Sequence, residues 1–326
     1  MRRIWKILVL ALVACFLLAA CGGEDPAPVY TYPTEETEAA VDHGSLTILF
    51  TGDAQNVFAS DETQGAIGYA ALAEYRNQLE DADQQVVLID GGNALRNDGA
   101  GAVKNGKTLA ELIGSVGYDI RVPGSGELSY GVEGLCDLTE KMEDCTYLSS
   151  NLIDGSGKSV FEPFVILECG EIKVGFVGIT SPLGADVLED ENYGFCQGNS
   201  KEEFYGAVQD AIDAARDGGA AYVIAVSNLG TDPQNTPWTS AELIANTTGL
   251  SAVLDCGSGA VLEGNTVKDL DQYEIPICAP GSGFAYVGEI TLNLNDGSAD
   301  VKLLTALGKE DQNVAKKAEE LQKNLE

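Results

Sequence analysis

Asp53 and Gln55 stand one residue apart at the end of the apolar run that begins at Leu46, and Asn93, Ser125, Asn228, Gly257 and Gly259 occupy similar exits further along the chain. These residue types suit two kinds of chemistry. Carboxylate oxygens could hold a hard divalent cation, with Asp53, Asp90, Glu127 and Asp255 as the available set. Amides and hydroxyls could instead hold a polar ligand such as a sugar or nucleoside by hydrogen bonds. Nucleophilic catalysis has little to work with. The sole histidine, His43, lies in the Pro- and Glu-rich stretch before the first strand, so the domain has no Ser-His or Cys-His pair, and no G-x-S-x-G turn occurs. Gly-Ser-Gly recurs at 124–126, 257–259 and 281–283. Such turns can form an anion-binding nest or simply reverse the chain.

Each of these positions needs an element to deliver it. Leu46 to Thr51 reads as a buried strand, and Gln85 to Asp90 exits the same way into Gly91, Gly92 and Asn93. Ala220 to Val226 exits into Ser227, Asn228 and Gly230, and Leu250 to Asp255 into Cys256 and Gly257. Ligands of open α/β sheets gather at such carboxyl ends. Helices are expected over Gln64–Glu80, with Ile67, Ala71, Tyr75 and Leu79 on one face, over Thr108–Val116, and around Phe204, Val208, Ala211, Ile212 and Ala215. A brief strand is expected over Asp119–Pro123. Cys169-Gly170-Glu171 separates two β-rich runs as a tight hairpin, and Gly288–Leu294 pairs with Asp300–Leu304. The pattern alone is α/β with some antiparallel strands. Beyond it, 308–326 forms an amphipathic helix through Val314, Ala318, Leu321 and Leu325 and docks on the domain.

The order of these strand-end residues resembles the metallophosphoesterase domain of the 5'-nucleotidase family of calcineurin-like phosphoesterases. That family carries D-x-H, G-D, G-N-H-E, a lone H and G-H-x-H. Here the same places read Asp53-Ala54-Gln55, Gly92-Asn93, Gly124-Ser125-Gly126-Glu127, Asn228 and Gly257-Ser258-Gly259. Leu148-Ser-Ser-Asn-Leu152 is similar to its L-S-A-N-I, and Phe161 to Pro182 follows its hairpin and the strand leading to T-x-P. The resemblance implies a four-layer α/β/β/α sandwich with two mixed sheets over 45–307. It also implies a hydroxide bridging two metal ions as nucleophile. Against that mechanism, Asn93 stands at the bridging aspartate, Gln55, Asn228, Gly257 and Gly259 at histidine ligands, and Gly126 at the histidine that protonates the leaving group. The expectation is a catalytically inactive phosphoesterase-like domain that needs no cofactor and binds a polar small molecule or an extracellular protein. The alternative is a divergent phosphoesterase holding Mn, Mg or Ca through Asp53.

The chain opens with Arg2, Arg3 and Lys6, an apolar stretch to Ala20, and Leu18-Ala19-Ala20-Cys21, which resembles a bacterial lipoprotein signal. Residues 1–20 are then cleaved, Cys21 carries the lipid, and 21–44 form a flexible acidic tether at the outer face of a cell-envelope membrane. Losing those three cations moves the formal net charge from -32 to -35. So acidic a surface disfavours nucleic acid, and it leaves the membrane in contact only through the lipid. Six cysteines remain in the domain, and spacing suggests Cys136 with Cys145 and Cys256 with Cys278.

Overall fold

The computed structural model describes residues 41–96, 102–142, 144–183, 192–196, 201–234 and 238–325. The signal, Cys21 and nearly all of the tether lie outside them. Asp42–Glu326 form one compact unit.

Its first sheet is built from β1 (Ser45–Thr51), β2 (Gln85–Asp90), β3 (Ile120–Arg121) and β4 (Thr146–Tyr147), all parallel. The short pair β5 (Leu152–Asp154) and β8 (Tyr193–Phe195) stands apart. The second sheet has β7 (Ile172–Ile179), β9 (Tyr222–Ser227), β10 (Ala252–Asp255) and β12 (Glu274–Pro280) in parallel, flanked by antiparallel β6 (Phe164–Cys169) and β11 (Val261–Lys268). The chain then returns to the first sheet, where β13 (Val287–Asn293) pairs antiparallel with β1 and with β14 (Ala299–Leu304).

Alternation along the strands sets the layers. Ile48, Phe50, Val87 and Ile89 face Phe176, Ile224, Val226 and Leu254 between the sheets. Leu49 and Leu88 point the other way, into a core shared with α1 (Tyr69–Asp81), α2 (Ala102–Gly114) and α4 (Gly131–Thr139). Val177, Ile179, Val223 and Val253 do the same against α5 (Lys201–Asp217) and α6 (Ser240–Ala245). Both sheets are therefore buried on two faces, which is why their strands read as continuous apolar runs. The result is the expected α/β/β/α sandwich with two mixed sheets. Helix α7 (Gln312–Leu325) buries Val314, Ala318 and Leu321 in the first outer core.

Element boundaries differ from the sequence reading, α2 starting at Ala102 rather than Thr108 and α7 at Gln312 rather than 308. Helix α1 starts at Tyr69 rather than Gln64, because Gly65 and Gly68 adopt φ of 72° and 82° and the Asp61 side chain caps a turn at Thr63. The cysteine pairs are also corrected, since all six thiols are free. Leu254 is the register partner of Cys278, so Cys256 lies two residues further along, just past the end of β10, with its thiol turned to the Thr51 carbonyl at 3.4 Å. Cys136 sits on α4 and Cys145 beyond its end, as separate half-buried thiols.

One network ties the sheets together. Asn151 accepts from the Thr180 N–H (3.0 Å) and donates to its carbonyl (2.7 Å), while Ser149 and Thr180 share a hydroxyl bond at 2.8 Å. The Leu148–Leu152 segment thus fixes the end of β7 relative to β4.

Candidate functional site

The tips of β1 and β2 run on as a pair of tight loops. Asp53 N–H donates to Gly92 O (2.8 Å), Gln55 N–H to Asn93 O (2.8 Å) and Asn56 N–H to Ala94 O (3.1 Å). To make these bonds Asp53, Gln55, Asn56 and Asn93 all take φ between 51° and 62°. Left-handed backbone at four non-glycine residues is a cost that surrounding structure must offset.

Glu127 supplies much of that offset. On the single-turn helix α3 (Ser125–Leu128), its carboxylate is fully buried and accepts four backbone N–H groups, from Asn93 (2.7 Å), Ala94 (2.8 Å), Leu95 (2.9 Å) and Gly124 (3.0 Å). Arg121, also fully buried, bonds Asp90 at 2.9 Å and lies 3.7 Å from Glu127. Asp90 in turn accepts from the Thr51 hydroxyl (2.7 Å) and Gly92 N–H (3.0 Å). Burial raises the Glu127 carboxyl, opposed chiefly by Arg121.

The second sheet presents its tips against the first. Asn228 donates to Gly91 O (2.6 Å) and to Cys256 O (3.3 Å). Cys256 fits where only glycine leaves room: a Cβ on Gly52 would lie 2.2 Å from its Cβ, and one on Gly91 2.3 Å from its sulfur. The buried Asp255 carboxylate accepts from Gly257 N–H (3.0 Å), Gly230 N–H (3.1 Å) and the Ser240 hydroxyl, and burial pushes it up to about 6.

All eight sequence-predicted positions meet at these tips. Asn93 Oδ1 accepts from Gly126 N–H (2.9 Å) and the Ser125 hydroxyl (3.4 Å), and Asn93 Nδ2 donates to Asn228 Oδ1 (3.4 Å). Gln55 Nε2 donates to Asp53 Oδ2 (2.9 Å). A Cβ on Gly259 would lie 3.9 Å from that same oxygen, and one on Gly257 2.6 Å from the Asn228 carbonyl carbon. Burial raises the Asp53 carboxyl, offset by its bond from Gln55 and by nearby Arg96. A groove of about 640 Å³ adjoins the loop, past Asn56, Ser60, Gln64, Ser282 and Gly283. Asp90, Glu127 and Asp255 do not join Asp53 as oxygen ligands, because each already accepts from its own loop or from Arg121. His43 is tied by its backbone N–H to Asn295 (2.9 Å) at the opposite end of β1, roughly 20 Å away at the rise of a strand. Sequence reasoning missed Cys256 as the wedge between sheets and Ser282 beside Gly259. The glycines Gly52 and Gly91 at two neighbouring strand exits were the available signal for the wedge.

Known proteins place this geometry. No family model matches the chain. In sequence it is 30% identical over 150 residues to 5'-nucleotidase of Bos taurus, covering 42% of this chain and 26% of that protein. It is 24% identical over 193 residues to 5'-nucleotidase of Vibrio cholerae, covering 58% and 34%. The chain thus spans about a quarter to a third of the length of these relatives. In structure it resembles the 5'-nucleotidase precursor of Thermus thermophilus, with a TM-score of 0.72 at 16% identity, covering 86% of this chain and 59% of the other. It resembles the calcineurin-like phosphoesterase YfkN of Bacillus subtilis with a TM-score of 0.66 at 20% identity, covering 86% and 97%. The fold is that of the calcineurin-like phosphoesterases. Sequence similarity to 5'-nucleotidases runs over roughly half of the chain and supports common descent with them.

The two metal ions that such a phosphoesterase fold implies do not fit this donor set. A pair of cations needs an anionic bridge and imidazole or carboxylate ligands around it. Asn93, which the resemblance sets at the bridging place, is neutral and its amide donates to Asn228 (3.4 Å), and Gly257 and Gly259 stand where the resemblance expects ligands. Among the described residues no three His, Cys, Asp or Glu side chains gather as a metal site.

Proposed function

We propose that this chain is a phosphoesterase-fold protein that holds a polar, uncharged ligand or a protein partner at its strand tips and does not carry out two-ion hydrolysis. The observation that supports this reading is the direct Asn93–Asn228 amide contact at the place of the bridging carboxylate. Asp53, Gln55, Ser125 and Ser282 offer acceptors and donors suited to hydroxyl-bearing ligands.

A second reading is a divergent metal-dependent phosphoesterase that recruits Mn, Mg or Ca through Asp53. The comparisons favour it over the inactive one, since the similar curated proteins are 5'-nucleotidases and the fold neighbours are phosphoesterases. One experiment separates the two. Purified protein is assayed for bound metal and for hydrolysis of p-nitrophenyl phosphate with added manganese, beside Asp53→Asn. The binding reading expects no turnover above buffer. Turnover that Asp53→Asn abolishes, with metal near two equivalents, would establish the hydrolase.

The same proposal places the protein outside the cytoplasm, with residues 1–20 removed and Cys21 lipidated, on the strength of Leu18-Ala19-Ala20-Cys21. Mass spectrometry of the mature N-terminus decides this: an unmodified Cys21 in the membrane fraction would refute it.

A further inference from the structure

A second hollow lies between the start of α1, the loop that precedes it and α7. Hydrogen bonds fix its walls. Tyr69 N–H donates to Phe58 O (3.1 Å), Asp311 N–H to Ala70 O (2.9 Å), and the Ser60 hydroxyl to the Glu310 carboxylate (2.7 Å). Asp311 also caps α7, accepting from Asn313 N–H and Val314 N–H at 2.9 Å each. Helix α7 turns Val314 and Leu321 into the first outer core. Where it passes the loop it carries Ala315 and Ala318 instead, and these small side chains, with Ala59, Ala70 and Phe58, leave a groove of about 450 Å³. Its size and apolar floor are those of a small-molecule site. The rim carries charge of one prevailing sign, with Glu310 and Glu319 against Lys323. Lys323 stands 3.9 Å from Glu319, whereas Glu310 meets the neutral Ser60 hydroxyl. On a chain of formal net charge -32, such a rim repels anions and attracts a cation.

We propose that this groove is a second binding site, separate from the strand tips, for a small amine that carries a flat apolar body. The body lies on the alanines and Phe58, and the ammonium group meets the carboxylates of Glu310 and Glu319 at the rim. The inference is independent of whether the strand tips bind or hydrolyse.

The test titrates the whole chain by calorimetry with three probes of similar shape and different charge: tryptamine, its alcohol analogue tryptophol, and indole-3-acetate. Tryptamine is expected to bind one equivalent, with tryptophol about fivefold weaker and indole-3-acetate weaker still. Ala315→Leu fills the groove from the helix side and is expected to weaken tryptamine at least about tenfold in a chain that still folds. Glu310→Gln/Glu319→Gln should bring tryptamine down to the level of tryptophol. Lys323→Gln acts in the opposite direction, and tryptamine should bind that variant about twofold more tightly. Should Ala315→Leu fail to fold, Ala59→Leu blocks the same groove from the exposed loop and is read in the same way. Three results overturn the inference: no binding of any probe, an amine bound no better than the alcohol or the acetate, or a folded groove-filling variant with wild-type affinity.

Discussion

The first sheet holds its strand tips with a compensated carboxylate and the second with an uncompensated one. Glu127 and Asp90 grip the loops after β1 and β2 around the buried Arg121 guanidinium. Asp255 grips the loops after β9 and β10 with two backbone N–H groups and one serine hydroxyl, and among the described residues no cation pairs with it. Both arrangements satisfy backbone donors that would otherwise be buried and orphaned. They fail differently, however. Removing the cation from the first leaves two buried carboxylates without it, whereas the second has only neutral donors and depends on pH instead.

The largest effect should come from Arg121→Met. Breaking a buried ion pair from one side leaves uncompensated charge and typically costs about 3–5 kcal/mol. Urea unfolding should show that loss at pH 7. A loss below about 1 kcal/mol would mean that Asp90 and Glu127 are held by their N–H donors alone, and the contrast between the sheets would dissolve.

These supports explain which parts of the molecule could be read in advance. Strands buried on both faces, such as β1, β2, β9 and β10, declare themselves as apolar runs, and Gly-rich exits mark their tips. The sandwich and the convergence of Asp53, Asn93, Asn228 and Gly259 follow from that ordering and the family resemblance. What was not legible depends on contacts between distant segments. Arg121 within its strand, Cys256 against Gly52 and Gly91, and Asp255 reaching Ser240 are long-range pairings without periodic signal. Helix α1 is shorter than its periodicity predicts for a local reason: Ile67 sits at a helical spacing but in a loop held open by Gly65 and Gly68. The Cys256–Cys278 expectation fails because sequence proximity says nothing about strand register.

The second sheet's dependence on pH gives the next prediction. Burial pushes the Asp255 carboxyl up to about 6, against an ordinary value near 3.9 in the unfolded chain. The native state therefore binds the proton more tightly. Its stabilising contribution is complete below about pH 4 and is lost as pH rises through about 6. Over that interval Asp255 should cost the wild type on the order of 2 kcal/mol, and Asp255→Asn should remove that decline. Burial also raises Asp53, Asp119 and Glu127, so a residual slope of the same sign remains in the variant. Parallel stability profiles for wild type and variant between pH 4 and 7 would show that Asp255 titrates in the ordinary carboxylate range, and the two sheets would then be alike.

A smaller change sharpens the same distinction. Ser240 is buried and donates to Asp255 while sharing a 3.0 Å hydroxyl bond with Ser227. Its hydrogen bond does most to hold the Asp255 carboxyl down against burial. Ser240→Ala should therefore raise that carboxyl further and carry the loss of stability to higher pH. With the proton on Asp255 the missing donor matters little, so variant and wild type should melt together near pH 4. At pH 7.5 the carboxylate has lost a charge-assisted bond, and the variant should be less stable by about 1–2 kcal/mol. The pH dependence of the difference carries the argument, because a cavity left by the hydroxyl would cost the same at both ends of the range. A constant difference would assign Ser240 to packing alone, and Asp255 would then rest on the Gly230 and Gly257 amides without its help.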